Sequence, residues 1–343
     1  MKILLTGKDD FTYNRTRVLI AGLERLPGIE LIYFPIQTRR HFDRKKFTKL
    51  SSECDLIYIP PFRHSDVKFI KKYAVCPVVF DALISKYLTR TIDHGKWWTA
   101  WEKSARDRIA FKQSDYILMD TEAHRKYIIE RYKLDPECVL ALPVGVDTNL
   151  FKPQSVNTQK DVFTVGFYGG FIPLQGVDKI VEAANLLKEH ADIRFEIIGK
   201  GPRYKNVMAL AKKLDSQNIN FLGWVPYEEL NNRINSFDLC LGIFGDSLKA
   251  DLVVPNKLYH YSAMQKCTIT KDTVGIREVF EPAENIVLTY NNSESIAKSI
   301  LSIKMDNVKR KVIAENAYVL MQTKYNQDQI AQRFLDFFIN HRN

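Results

Sequence analysis

The chain has 343 residues, 45% of them apolar, and its 50 Lys and Arg against 40 Asp and Glu give a net charge of +10. This length and apolar content suit about two domains, each with its own core. The five scattered cysteines form no CxxC or Cys/His cluster, so we expect free thiols and neither a disulfide framework nor a zinc site. The apolar run in MKILLTG is too short for a signal peptide, and no apolar run is long enough to span a membrane. We therefore expect a cytoplasmic protein.

Strand-like apolar runs alternate with helical patterns through the first half of the chain. The runs cover residues 3–6, 30–34, 55–59, 77–80, 116–119 and 139–142, and the helical patterns include residues 14–26 and 97–112. Residues 143–161 then combine turn formers with polar residues, which is typical of a linker.

The same alternation resumes in the second half. Strands are predicted at residues 163–168, 194–198, 220–222, 239–243, 268–270 and 286–288, with helices at 177–189, 204–214, 228–236 and 293–303. Two successive βαβ series predict an α/β protein made of two doubly wound, Rossmann-like parallel sheets. The predicted domains are residues 1–152 and 160–322.

Two basic segments stand out in the first domain. Residues 1–150 carry 26 Lys and Arg against 19 Asp and Glu, and the excess is concentrated at 39–49 and 63–72, where phenylalanines lie among the charges. Such segments can bind an anionic membrane surface. A solvated basic face is an equally good interpretation, and no nucleic-acid-binding motif accompanies the charges.

Another pattern predicts an anion site in the second domain. Asp246 and Lys249 lie in a polar loop after a strand, and Pro255, Asn256 and Lys257 open the next helix. Unpaired N–H groups and the helix dipole favour negative charge at such a position. The pattern is also compatible with an ordinary strand–loop–helix connection.

Two glycine-rich loops strengthen this prediction. Gly169 and Gly170 follow the first strand of the second domain, and Lys200 lies in a similar loop one unit later. Glycines permit close approach of a phosphate or sugar, although each loop alone is a weak signal. Because all three loops follow strand carboxyl ends, we expect them to converge on a phosphate-bearing ligand, most simply a nucleotide.

The chain resembles the GT-B glycosyltransferases of the family 4 type (glycosyltransferase group 1) over nearly its whole length. The matching segments are residues 143–153, 166–176, 198–202, 221–230, 254–259 and 276–278, and their order and spacing are more specific than any one of them. The resemblance implies a nucleotide-sugar donor held by the second domain, an acceptor bound by the first, and a cleft between them. It also implies metal-independent transfer with retention and no cofactor, and a last helix, near 327–343, that packs back on the first domain.

Several family positions are occupied differently here. Gly170 stands where most members carry an Arg, Gln175 near an expected Lys, and His260 at the expected ribose-binding glutamate. Since the leaving diphosphate needs cations, we expect Lys249, Lys257 and Lys200 to replace them. His260 is then expected to contact the ribose, and the backbone around Val225 the base.

Acceptor-side candidates lie in the first domain. Asp81 follows a strand and can orient an acceptor hydroxyl or cap a helix, and His94 can share the proton or be merely solvated.

Trp97, with Trp98 and Trp101, suggests a sugar-stacking or lipid-contacting patch, with one or two of the rings in the core. Asn14 and Arg15 can reach a phosphate or simply begin a helix.

The sequence therefore predicts a retaining glycosyltransferase that moves a hexose from a UDP- or GDP-sugar to a glycan or lipid-linked acceptor. It would serve cell-surface polysaccharide or glycoconjugate synthesis on the inner face of the membrane. A catalytically impaired sugar-nucleotide-binding or scaffold protein and a sugar-nucleotide epimerase of the same fold are the alternatives.

Overall fold

The computed structural model describes residues 1–8, 11–155 and 162–340. The chain divides into two compact units. Unit 1 comprises Met1–Asp147 and the chain from Tyr325 onward, and unit 2 comprises Thr148–Lys324.

Unit 1 is built on a parallel six-stranded sheet in the order β2-β1-β3-β4-β5-β6. Its strands are β1 (Lys2–Gly7), β2 (Glu30–Pro35), β3 (Leu56–Ile59), β4 (Val78–Asp81), β5 (Tyr116–Met119) and β6 (Val139–Ala141). Its helices are α1 (Asn14–Leu23), α2 (Arg44–Glu53), α3 (His64–Lys71), α4 (Ala100–Gln113) and α5 (Glu122–Tyr132). The order is that of a doubly wound sheet, in which the direction of strand addition reverses between β1 and β3.

Unit 2 holds a second parallel sheet, in the order β12-β11-β10-β7-β8-β9. Its strands are β7 (Phe163–Tyr168), β8 (Ile193–Ile198), β9 (Ile219–Gly223), β10 (Leu239–Leu241), β11 (Thr268–Lys271) and β12 (Val287–Thr289). Its helices are α6 (Val177–Leu186), α7 (Tyr204–Lys213), α8 (Leu230–Asn235), α9 (Leu248–Leu252), α10 (Asn256–Ala263), α11 (Ser293–Met305) and α12 (Asn307–Lys324). The direction of strand addition reverses between β7 and β10. The predicted fold class is therefore confirmed in both units.

Central strands of the unit 1 sheet are buried on both faces, which explains the sequence pattern. Strands β3 and β4 are buried along their whole length, and they read as continuous apolar runs. Each unit has its own apolar core.

The predicted linker is partly structured. Phe151 is fully buried in unit 2, where its ring stacks on the imidazole of His260 at 3.7 Å between centroids. Lys152 donates its backbone N–H to Asn231 of α8. The chain therefore enters unit 2 at Thr148, before the predicted boundary at 152, and residues 156–161 of the predicted linker lie outside the described residues.

The last helix, α13 (Gln327–Asn340), belongs to unit 1 and packs on α1. A Cβ on Gly22 of α1 would lie 2.0 Å from the carbonyl oxygen of Gln327, so only glycine permits this approach. The chain is also closely packed where Gly145 meets Tyr325, since a Cβ on Gly145 would lie 2.8 Å from the Tyr325 carbonyl oxygen. Gly145 has φ +67°, and Val146 donates its N–H to the carbonyl of Tyr325 at 3.0 Å.

The phenylalanines of the basic segments do not face solvent. Phe47 is fully buried and Phe42 nearly so, and both belong to an aromatic cluster with Phe34, Phe69 and Tyr73 in the core of unit 1. The basic side chains around them, such as Lys45, are exposed. These segments thus present their charges to solvent while Phe42 and Phe47 are buried and Phe69 packs against the core. In the described residues, no helix is both long and apolar enough to cross a bilayer.

We predict that Gly22→Ala destabilises unit 1 by about 1–3 kcal/mol, because the new methyl group overlaps the Gln327 carbonyl. This loss outweighs the higher helix propensity of alanine, worth about 1 kcal/mol. Urea unfolding measures the effect, with Gly170→Ala as the control, since a Cβ there lies 3.9 Å from its nearest neighbour. Equal stabilities of the two variants would contradict the packing of α13 on Gly22.

Candidate functional site

The loops predicted to bind a phosphate lie at the carboxyl edge of the unit 2 sheet. Strand β7 lies between β8 and β10, so the loops after these three strands meet at the point where the strand order reverses. In doubly wound sheets this point is where ligands bind.

Glycines bring the loops after β7 and β8 into direct backbone contact. A Cβ on Gly199 would lie 1.9 Å from the carbonyl oxygen of Gly169, and one on Gly201 would lie 2.6 Å from the backbone nitrogen of Phe171. Gly199 has φ +136° and Gly169 has φ +156°, which side chains disfavour. The two loops thus form one continuous backbone surface.

A second pair of glycines joins the loops after β7 and β10. Gly176 adopts φ +61°, and a Cβ there would lie 2.4 Å from the carbonyl carbon of Phe244. Phe244 donates its N–H to the carbonyl of Gln175 at 3.1 Å. The structure therefore brings the three predicted loops together.

Lys257 lies beneath this surface, in the first turn of α10. It is 3% exposed, its ammonium donates to Oε1 of Gln175, and its Nζ is 3.6 Å from the centroid of the Phe167 ring. A Cβ on Gly169 would lie only 2.8 Å from Nζ, so the ammonium reaches the glycine loop. Burial lowers the pKa of Lys257 well below its ordinary value. Within the described residues no carboxylate forms an ion pair with it, and the site therefore favours an incoming anion.

His260 lies one turn further along α10 and is 1% exposed. Its Nδ1 is 2.6 Å from the hydroxyl of Tyr168, and its ring stacks on Phe151. Burial lowers the pKa of His260 to about 3, so the imidazole is neutral at physiological pH. Any ribose contact from this position would involve the neutral ring.

The other predicted donor residues occupy the same edge in different settings. Lys200 is exposed, with its Cε against Gly223, next to the half-buried Val225 after β9. Lys249 is buried on α9, a short helix where the sequence predicted an irregular loop. Asn256 opens α10 and is half-buried.

Asp246 forms an ion pair at the surface of unit 2. It is exposed, its Oδ1 is 2.5 Å from Nζ of Lys179 on α6, and Asn291 also donates to it at 2.7 Å. The donor contact predicted for Asp246 stays a prediction.

Two residues that organise the loops were missed by the sequence reasoning. Gln175 accepts the hydrogen bond from Lys257. The sequence identifies Gln175 only as a difference from the family and does not predict this contact. Lys271 is 6% exposed and donates to the carbonyl of Gly245 at 2.6 Å, and its Nζ is 2.8 Å from Oδ1 of Asp251. A lysine at the carboxyl end of the apolar strand β11 was the available signal for it.

In unit 1, the predicted site residues Asp81 and Arg15 form a buried ion pair. Nε of Arg15 lies 2.8 and 2.7 Å from the two Asp81 oxygens, and the Tyr58 hydroxyl donates to Asp81 at 2.7 Å. Arg15 also donates to the carbonyl of Leu142 at 2.7 Å. Asp81 is fully buried and Arg15 is 2% exposed. This geometry gives the pair a structural role, joining α1 to the sheet, in place of the predicted contacts with acceptor or phosphate.

The remaining acceptor-side candidates differ in exposure. His94 is half-buried, with its Nε2 3.7 Å from Oδ2 of Asp93, and Asn14 is buried at the start of α1. Trp97 is 61% exposed, and Trp98 and Trp101 are more exposed still. The prediction that one or two of these rings lie in the core is therefore wrong.

The described residues contain no group of three or more His, Cys, Asp or Glu side chains placed to hold a metal ion. Three lysines at the carboxyl edge of the unit 2 sheet, Lys249, Lys257 and Lys271, are buried, whereas Asp246, Asp251 and Asp272 are not, an arrangement suited to an anion.

Comparison with known proteins adds sequence relatives. A profile of the family described as "Glycosyl transferases group 1" matches residues 149–320. A component of the phosphatidylinositol N-acetylglucosaminyltransferase of Arabidopsis thaliana is 22% identical over 221 residues, which cover 64% of this chain and 48% of that protein. The GDP-mannose-dependent monoacylated alpha-(1-6)-phosphatidylinositol monomannoside mannosyltransferase of Corynebacterium glutamicum is 21% identical over 206 residues, covering 56% and 54%. The chain thus spans about half the length of these curated relatives.

The fold also has a close structural counterpart. Anabaena Alr3699/HepE, solved in complex with UDP, superposes with a TM-score of 0.76 at 15% identity, covering 99% of this chain and all of that one. This likeness supports the GT-B fold, made of two Rossmann-like units.

We predict that Lys257→Met weakens the binding of UDP or GDP by about 10- to 150-fold, the loss of a charged hydrogen bond worth about 1.5–3 kcal/mol. Lys266→Met is the matched control. Lys266 donates to the carbonyls of Asn235 and Phe237 just before β11, at the opposite edge of the sheet. Isothermal titration calorimetry measures both variants, and equal affinities would exclude Lys257 from the anion site.

The same residue makes binding depend on pH. The pKa of Lys257 is lowered in the free protein and rises beside an anion, so binding takes up a proton at pH values between the two pKa values. Affinity therefore falls as the pH rises through this interval. Calorimetry in buffers of different ionisation enthalpy measures the uptake, which Lys257→Met abolishes if Lys257 is its source.

We predict that Asp81→Asn destabilises unit 1 by about 3–5 kcal/mol, because it leaves the buried Arg15 guanidinium without its counter-charge. Asp246→Asn makes the same change in the exposed pair with Lys179 and is expected to cost about 0–1 kcal/mol. Urea unfolding compares them. A small effect at Asp81 would mean that its carboxylate is available for another role.

Proposed function

The chain belongs to the glycosyl transferases group 1 family, and we propose that it is a retaining glycosyltransferase that moves a hexose from a nucleotide sugar to a glycan or lipid-linked acceptor. One observation carries the proposal: the buried ammonium of Lys257 beneath the joined glycine loops of unit 2. A diphosphate seated on these loops would meet backbone N–H groups, the α10 N-terminus and a cation.

The donor proposed here is a UDP- or GDP-sugar. Alr3699/HepE, of the same fold, was solved with UDP, and the corynebacterial relative is named as GDP-mannose-dependent. Val225 lies in the loop after β9, where we place the base, and Lys200 lies in the loop after β8, where it can reach the diphosphate. Neutral His260 is the candidate ribose contact, reached if Tyr168 moves.

Lys257 supplies the charge that the reaction requires. When the bond from the anomeric carbon to the diphosphate breaks, negative charge grows on the diphosphate, and a preorganised cation stabilises it. With retention, the acceptor oxygen joins the anomeric carbon on the face from which the diphosphate leaves. We propose that no metal or other cofactor is needed, because Lys257, assisted by Lys249 and Lys200, takes its place.

Of these two kinds of acceptor, we favour the one attached to a lipid. Two relatives carry phosphatidylinositol in their names. The exposed basic residues of segments 39–49 and 63–72 would attract an anionic surface, each adding about 1 kcal/mol near the membrane. The chain would then act as a peripheral protein on the cytoplasmic face, in polysaccharide or glycoconjugate synthesis.

His94 is the group in unit 1 that we propose to contact the acceptor hydroxyl. It is partly accessible, and Oδ2 of Asp93 lies 3.7 Å from its Nε2 and can orient the ring. Asp81 acts differently, through the buried ion pair with Arg15 that joins α1 to the sheet.

We predict that UDP- or GDP-sugars raise the melting temperature in a panel that also contains ADP- and dTDP-sugars, because a ligand of the native state adds about 2.7 kcal/mol of stability at a hundredfold excess over Kd. The bound donor is then tested with lipid-linked and free glycan acceptors. Nucleoside diphosphate release measures turnover, and NMR of the product reports the anomeric configuration. Turnover that continues in EDTA supports the metal-independent route.

Each outcome separates the proposal from its rival. Donor binding without turnover on any acceptor would favour a catalytically impaired binding protein, which the residues Gly170, Gln175 and His260 make a real alternative. No thermal shift with any nucleotide sugar would overturn the proposed function. His94→Gln is expected to reduce kcat at least about tenfold while leaving donor affinity unchanged.

A further inference from the structure

Three tryptophans of unit 1 form an exposed group, which we call the tryptophan patch. Trp97 is 61% exposed, Trp98 80% and Trp101 85%. Tryptophan is on average a well-buried residue, and three exposed rings within five positions leave a large apolar area in water. Such areas in soluble proteins mark surfaces that meet a partner.

The patch is held on a firm base. Trp97 and Trp98 belong to a short 3₁₀ turn, Trp97–Thr99, and Trp101 belongs to the first turn of α4. Further along α4, Asp107 is fully buried and accepts hydrogen bonds from the Ser85 hydroxyl at 2.6 Å and from the backbone N–H groups of Lys86 and Tyr87 at 2.9 Å. This carboxylate fixes the start of the segment that leads to the tryptophans.

The apolar surface continues along the exposed face of α4. Arg108 and Ile109 follow Trp101 by seven and eight positions, which places them on the same helix face, and Ile109 is 46% exposed. An amphipathic helix with tryptophan and isoleucine beside arginine is typical of segments that lie in a membrane interface.

The charge around the patch is strongly positive. Residues 86–112 contain seven Lys and Arg against three Asp and Glu. Two of the three acids, Asp93 and Asp107, are buried, so Glu102 is the exposed acid of this stretch, and it pairs with Lys103 and Arg106. A neutral glycan would gain nothing from this excess, whereas an anionic lipid surface would.

We propose that the tryptophan patch inserts into the interface of an anionic lipid bilayer, with the surrounding basic residues bound to the lipid headgroups. Segments 39–49 and 63–72 present charge alone, since their phenylalanines Phe42 and Phe47 are in the core. The patch supplies the apolar contact that those segments lack. The inference rests on the proposed action at a membrane surface and adds the part of the chain that enters it.

Tryptophan fluorescence of the full chain tests the insertion directly. The chain has four tryptophans, and Trp224→Phe leaves only those of the patch. With vesicles of phosphatidylglycerol and phosphatidylcholine, the emission of this variant is expected to shift to shorter wavelength and to be quenched by brominated acyl chains. Emission unchanged by anionic vesicles would overturn the proposal.

Co-sedimentation with the same vesicles then measures affinity. Trp98→Ser/Trp101→Ser is expected to lower the apparent partition coefficient about tenfold or more, whereas Trp224→Ser, at a residue 69% exposed in unit 2, leaves it unchanged. Near 1 M salt, where the Debye length is about 3 Å, the charge-driven part disappears and the tryptophan-dependent part remains. Equal pelleting of the two variants would contradict insertion of the patch.

Two further measurements keep the inference separate from the proposed function. A fluorescence shift caused by neutral oligosaccharides but not by vesicles would identify a sugar-stacking platform and overturn the membrane proposal. Calorimetry with UDP or GDP is expected to give the same affinity for the double variant and the unaltered chain. Loss of vesicle binding with donor binding intact concerns the patch alone, while vesicle binding without donor binding would refute only the proposed function.

Discussion

The arrangement of unit 2 depends on a buried lysine, Lys257, with which no carboxylate of the described residues forms an ion pair. A charged ammonium in such a place is costly unless an anion joins it, and the neutral amine is favoured until then. The glycines around Lys257 follow from this constraint. Gly169 leaves room for Nζ, and Gly199 lets the neighbouring loop close over the same backbone. An anion on these loops would meet a cation that water does not screen, so the attraction between them would be stronger than at the protein surface.

The departures from the family acquire a physical meaning in this setting. Gln175 lies near the position where the resemblance implies a lysine, and it accepts a hydrogen bond from Lys257, which holds the buried Nζ in place. His260, which replaces a carboxylate, is a neutral ring packed between Phe151 and Tyr168. A glutamate at this position would bring a negative charge into a buried space. The replacements therefore fit one another as a set, with one buried cation and neutral partners.

The sequence was sufficient for the fold because the relevant signal is local. Strands buried on both faces read as short apolar runs, and helices between them repeat apolar residues every three to four positions. The sequence was insufficient where long-range partners decide the outcome. Arg15 and Asp81 are 66 positions apart, and only the folded sheet reveals that they satisfy each other. Aromatic residues among basic ones were also ambiguous. Phe47 and Trp98 both have basic neighbours in the sequence, yet Phe47 is buried and Trp98 is exposed.

The discontinuity of unit 1 has a consequence for the synthesis of the chain. Its last helix, α13, packs on Gly22 of α1, yet the whole of unit 2 is encoded between them. At about 5–20 residues per second, a ribosome needs roughly 10 to 35 seconds to make that intervening stretch. Throughout this interval the α1 surface that receives Gln327 and Ala331 is uncovered, while unit 2 is completed as a continuous segment. Unit 1 thus begins to be made before unit 2 and can complete its fold only after it.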